Sequence, residues 1–409
     1  MRDLIDLCIE LFPVEIGTDK KGDPYREDVR WALVNLFRAT GIPGSPGGPV
    51  SAEPMARAIC EAMTARSMPL LHLCPLDMAD DLPRLRFGPC EIRTFSRQEL
   101  EDVIQLPRLR RQFTSLTLDT GGLSDFTWLV VRETPALQSR IGLRSNFWWN
   151  LRLDEDLGAI KPYSRTWPEA VERAVFGLLL LPWEEFAAYP DMEWRGFKIP
   201  WVYTVDYDPF VAPKMPKGPE TLSREPAIYQ DIQTGEEVEL EKPVRLPLRD
   251  DMDGAWATVC DQWWEELGRA VTSPIVNPLV VHFLVRAFIT DDIDEFLGHI
   301  TTIEAALGME RDHNRDGARP KINGDNPGPT ERIARRVSAL TGDATSAERY
   351  RELFGMRSAF VHGRRLDVIS SEKRNQARAM ARLVVNNLVS AAITGAHNNR
   401  KEYLSTLCP

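Results

Sequence analysis

Apolar residues return at helical spacing twice within the first forty positions. Leu4, Leu7, Cys8 and Leu11 form one stripe, and Val29, Leu33, Leu36 and Phe37 form another, so residues 2–40 are expected to be helical. The run Ile42-Pro-Gly-Ser-Pro-Gly-Gly-Pro49 ends that pattern as a loop, and a further helix is expected over 52–66. From about position 84 the texture changes. The segments 86–95, 126–133 and 199–205 are rich in β-branched and aromatic residues and predict strands. Short helices are expected between them, one opening at Ser96, whose spacing to Glu99 fits a capping box. The tryptophans that gather before position 202 are expected to pack cores and sheets. Residues 206–248, rich in proline and charge, read as an extended connection or edge strand.

From Met252 onward the period is helical to the end. One helix is expected over 291–307, with acids in its first turn and Gly308 as its stop. A second spans 329–340 and stops at Gly342. Thr345 with Glu348 makes a capping box for a third, which ends at Gly363. Ser370 or Ser371 opens a fourth, which runs to Ile393 and stops at Gly395. Four amphipathic helices in this order predict a small antiparallel bundle. The expected fold class is α+β, in three consecutive regions: a helical segment 1–83, a β-rich domain 84–250 and an all-α bundle 251–409.

One position breaks the apolar pattern of the first bundle helix. The stripe runs Ile293, Leu297, Ile300, position 304, Leu307, and position 304 is a glutamate. A carboxylate aimed at a core is costly unless it is paired with a cation or hydrogen-bonded. Arg357 is the first partner to expect and His362 the second; the plain alternative is that Glu304 slides to the rim and meets solvent. Arg357 and His362 combine a fixed cation with a group that titrates near neutral pH. In an ideal helix they lie roughly 140° apart. Either the arginine reaches around or the last turn before Gly363 loosens, which suits a cleft between two bundles better than a pocket inside one.

Composition narrows the function classes. A net charge of −10 argues against a protein that coats nucleic acid nonspecifically. Yet from Arg351 to the C-terminus ten basic residues stand against four acids, a local basic zone around Arg357 and His362. Six scattered cysteines show no disulfide spacing, and Cys60, His72, Cys74 and Cys90 lack the C-x2-C pair that would anchor a zinc site. Asp312-His-Asn314-Arg-Asp316-Gly317 copies the first half of a calcium loop, but its twelfth position is Asn323, so a flexible polar loop is expected. No metal or cofactor is expected. Acids follow Met1 where a leader's apolar core would begin, and no apolar run reaches membrane length. A cytoplasmic protein with no membrane partner is therefore expected.

Ile303-Glu-Ala-Ala-Leu307 and Arg357-Ser-Ala-Phe-Val-His-Gly363 together resemble the paired signatures of Apea-like domains in the HEPN superfamily. The resemblance covers about 280–395. It implies a metal-independent endoribonuclease that cuts tRNA or other single-stranded RNA. His362 would move protons, Arg357 would clamp the scissile phosphate, and Glu304 would orient them. Arg364, Arg365 and Arg351 would extend the RNA-binding surface. Many catalytic members carry Asn, Asp or His after the arginine; here that position is Ser358, counted with the catalytic set. The resemblance also implies a homodimer through the C-terminal bundle, with residues 1–250 as sensor or restraint. The implied setting is bacterial anti-phage abortive infection or toxin–antitoxin defence, answering to a phage trigger or an antitoxin. The competing expectation is a non-catalytic HEPN module for dimerisation or ligand binding, in which Glu304–Arg357 only fixes helix packing.

Overall fold

The computed structural model describes residues 1–42, 52–144, 165–189, 195–230, 237–314, 326–363, 368–395 and 399–408. Helix and sheet are mixed, 56% and 14% of the structure, in agreement with an α+β class. Among the described residues no helix is long and apolar enough to cross a membrane. The chain divides into two compact units, each assembled from separated segments: 1–76, 92–161 and 200–243 in one, 77–91, 162–199 and 244–409 in the other. This division differs from the three consecutive regions, with borders at 83 and 250, expected from the sequence. The first unit draws elements from both sides of position 83 and the second from both sides of position 250.

In the first unit, helices α1 (Arg2–Leu11), α2 (Arg26–Thr40) and α3 (Ala52–Thr64) enclose a core of Cys8, Val29, Leu33, Leu36, Ile59 and Met63. Strands β1 (Leu70–Leu76), β2 (Cys90–Thr94), β3 (Thr127–Glu133) and β4 (Tyr203–Asp206) line up in the order β2-β3-β1-β4, with β1 antiparallel to both β3 and β4. Strand β1 is buried along almost its whole length. It therefore reads as one apolar run without alternation, the pattern of a strand covered on both faces. Leu100, Trp128, Val130 and Trp201 pack the sheet core, with Trp128 and Trp201 edge to face at 5.8 Å. The expected box at Ser96 is formed: Ser96 N donates to Glu99 Oε2 at 2.8 Å and Glu99 N to Ser96 Oγ at 3.3 Å. Helix α4 (Arg97–Val103) starts there. The proline- and charge-rich stretch holds a two-stranded hairpin, β5 (Arg224–Gln230) with β6 (Glu237–Pro243).

The second unit is helical: α5 (Glu169–Leu179), α6 (Asp261–Thr272), α7 (Pro278–Ile289), α8 (Asp292–Leu307), α9 (Pro329–Thr341), α10 (Ala344–Val361), α11 (Ser371–Thr394) and α12 (Arg400–Thr406). Helix α8 sits in the middle and packs against α7, α9, α10 and α11. Its Phe296, Ile300, Ile303 and Leu307 are fully buried, and so is the carboxylate of Glu295. Arg378 on α11 donates to Glu295 Oε1 through Nε at 3.1 Å and also through its terminal nitrogen. Arg195 stands 3.3 Å from Glu295 Oε2. Burial alone would raise the Glu295 carboxyl, but His299, Arg378 and Arg195 together lower it to about 2. A second buried pair closes the end of α8: Asp312 accepts from both terminal nitrogens of Arg336, one of them at 2.9 Å. Asp312 is thus a fixed interior residue where the sequence suggested the start of a flexible loop; residues 315–325 lie outside the described ones.

Candidate active site

Helix α10 carries Arg357 and ends at His362. Its N-cap is Asp343, whose Oδ1 accepts from Thr345 N at 2.9 Å, so the expected Thr345–Glu348 box is not what opens it. Ser346, Ala347, Tyr350 and Leu353 form the buried face, and Arg357 continues that face two turns beyond Tyr350. The helix then loosens. His362 is the C-cap, with φ −91° and ψ 8°, and its N–H donates to Ser358 O at 3.1 Å. Gly363 follows at φ +62°, a left-handed turn that glycine adopts at little steric cost. Both His362 and Gly363 are exposed, and Ser358 is half-buried.

Glu304 on α8 meets Arg357. Glu304 Oε2 lies 3.9 Å from a terminal nitrogen of Arg357, and the two side chains keep 28% and 29% of their surface exposed. The interruption in the α8 stripe is thus a carboxylate at the rim of the core, paired with the partner named first from sequence. Burial raises the Glu304 carboxyl above its ordinary value, opposed by the charges of Arg357 and His313. The Arg357 guanidinium also sits over the Phe354 ring, 5.8 Å from its centroid. Two donors beside this pair are buried and lack hydrogen bonds, Arg357 Nε and the Tyr350 hydroxyl. A buried donor without an acceptor costs about 1–3 kcal/mol, so these groups call for a physical reason. Tyr350 carries no mark of its own in the sequence, because an aromatic at a core position is usually only core. Its signal was the seven-residue spacing to Arg357.

The remaining candidates stand apart. Arg351 Nε and a terminal nitrogen donate to the two carboxylate oxygens of Glu331 at 2.8 and 3.0 Å, which engages the guanidinium expected to meet RNA. Arg364 and Arg365 lie outside the described residues. A 450 Å³ groove lined by Glu352, Met356, Ala359, Phe360, Ile369 and Lys373 follows the side of α10 turned away from Arg357. Among the described residues no group of three or more His, Cys, Asp or Glu side chains is placed to hold a metal ion. His72 spends its ring nitrogens on Thr204 Oγ1 at 2.9 Å and Glu133 at 3.0 Å, and Cys60 is exposed on α3.

The half-buried pair of Arg357 and Glu304 can bind an anion, and the exposed imidazole at the helix end can exchange protons. No family model, curated protein or solved structure matches the chain.

Proposed function

We propose that this chain is a metal-independent endoribonuclease of the HEPN type, acting on tRNA or other single-stranded RNA. The observation that carries the reading is the pairing of Glu304 with Arg357 at the end of a helix whose cap, His362, is exposed. In the proposed reaction the 2′-hydroxyl of RNA attacks the adjacent phosphorus, and the 5′-oxygen leaves. His362 transfers protons to or from these oxygens, and Arg357 binds the non-bridging oxygens as negative charge accumulates. Glu304 holds Arg357 in place before RNA arrives. Ser358 lends its carbonyl to the cap that positions His362, and Arg364 and Arg365, which follow it in the sequence, are proposed to bind RNA phosphates. Single-stranded or loop RNA suits this chemistry because its 2′-hydroxyl can reach in-line geometry.

His362 has left the helix, so Arg357 and His362 of one chain need not share a face. Two copies facing each other across a twofold axis would bring both pairs to one phosphate. An always-active nuclease would poison its own cell, and the first unit is proposed as the sensor or restraint in anti-phage or toxin–antitoxin defence. One observation favours a non-catalytic module instead: Arg357 is already paired with a carboxylate, as in an ion pair that fixes helix packing. Single variants Glu304→Gln, Arg357→Ala and His362→Ala separate the two readings. Folded variants that no longer cut RNA support the nuclease; a wild-type protein that never cuts, with or without its trigger, supports the module.

A further inference from the structure

The Tyr350 hydroxyl is the most constrained polar group near the proposed site. Tyr350 is fully buried, its ring is tilted against Phe354 at 6.0 Å, and its hydroxyl has no hydrogen-bond partner. Burial raises its pKa, the nearby charge of Glu304 raises it further, and Arg357 opposes both, so the hydroxyl stays protonated and lies within the field of both ions. The ion pair beside it is loose. At 3.9 Å the Arg357 nitrogen is too far from Glu304 Oε2 for a hydrogen bond, and Arg357 Nε is unpaired as well. The arginine is therefore held to the carboxylate by charge and to the Phe354 ring by packing, and it can turn without breaking a hydrogen bond to Glu304.

Turning Arg357 toward a phosphate would leave Glu304 half-buried and without its cation. A carboxylate in that position takes up a proton or finds another donor. Tyr350 and Arg357 share one face of α10, seven residues apart, and the buried hydroxyl feels the charges of both Glu304 and Arg357. We propose that Tyr350 is a positioning residue: when Arg357 turns to a phosphate oxygen of RNA, the Tyr350 hydroxyl donates to Glu304 and keeps it ionised and in place. This inference rests on the nuclease reading of the site. It assigns the buried hydroxyl to the RNA-bound state, where it lowers the cost of releasing Arg357.

The test measures binding separately from cleavage. The full-length protein is titrated with a DNA dodecamer, which offers the phosphate backbone without a 2′-hydroxyl, and cleavage of total tRNA is assayed in parallel. Four proteins form a cycle: wild type, Tyr350→Phe, Glu304→Gln and the double variant. A hydrogen bond to a charged acceptor corresponds to about tenfold in affinity. Tyr350→Phe is expected to weaken dodecamer binding about tenfold in the wild-type background and less than about twofold in the Glu304→Gln background. The acid limb of the binding profile should also shift upward in Tyr350→Phe, because Glu304 then keeps its proton to higher pH. Equal effects in both backgrounds, or none, would overturn the role of Tyr350. Binding with the expected coupling but no tRNA cleavage would overturn the nuclease reading alone, and absence of binding by wild type would overturn both.

Discussion

Glu304 on α8 and Arg357 on α10 face each other across 3.9 Å, each keeping more than a quarter of its side chain in solvent. Partly exposed pairs of this kind contribute less than about 1 kcal/mol to folding. Glu304→Gln is accordingly expected to shift the unfolding free energy by less than about 1 kcal/mol while removing RNA cleavage. Urea unfolding and a tRNA assay on the same preparation check both halves. A loss of several kcal/mol would instead mark the pair as a packing element.

Asp312 and Arg336 provide the contrast, because both side chains are almost completely enclosed. Removing one partner of such a pair strands the other charge, at a cost of about 3–5 kcal/mol. Asp312→Ala is expected to lower the unfolding free energy measured in urea by that amount. Calcium should leave the melting temperature of the wild type unchanged, since Asp312 already serves Arg336. A calcium-dependent rise would contradict this assignment.

Acid should destabilise the second unit in a defined order. Burial lowers the pKa of His299, which faces Glu295 on its own helix, Arg378 and Arg382 on α11, and Glu184 and Arg195 from the preceding segments. The unfolded chain therefore binds a proton at His299 first. The stability this gives is complete above about pH 6.5 and is lost as pH falls below that value. Glu295, lowered to about 2, adds a second loss below about pH 4.5. Unfolding free energies from pH 7.5 to 5 should fall in wild type and fall less steeply in His299→Leu. Identical slopes would show that another group governs this range.

Gly88 interrupts what the sequence presents as one strand over 86–95. Its φ is +54°, and a Cβ there would stand 2.2 Å from Trp264 Cδ1. Its N–H donates to Asp261 Oδ1 at 2.7 Å. The chain thus turns between Leu85–Phe87 and Cys90–Thr94. Gly88→Ala is expected to cost at least about 2 kcal/mol through left-handed strain and overpacking. Thermal unfolding measures it.

Helices α9 and α11 of the second unit were legible because they carry their own punctuation: Ser370 as N-cap of α11, Gly342 and Gly395 in left-handed stops after α9 and α11. Glu304 was legible because a carboxylate interrupted a regular stripe. What depended on distant chain could not be read. Strand β1 gains both its covers from elsewhere, so its apolar run carried no period. The division into two units joins segments that local patterns leave consecutive. At α10 two capping patterns overlap, and Asp343, one residue before the helix, holds Thr345 N. The empty hydrogen-bonding capacity of Tyr350 depends on what surrounds it in three dimensions.

His362 and Arg357 are proposed to cut RNA without a metal. The most direct measurement incubates wild type and His362→Ala with total tRNA in excess chelator and maps the fragment ends. Discrete fragments ending in 2′,3′-cyclic phosphate and 5′-hydroxyl, from wild type only, are the predicted result. Equal cleavage by His362→Ala, or cleavage abolished by the chelator, would contradict it.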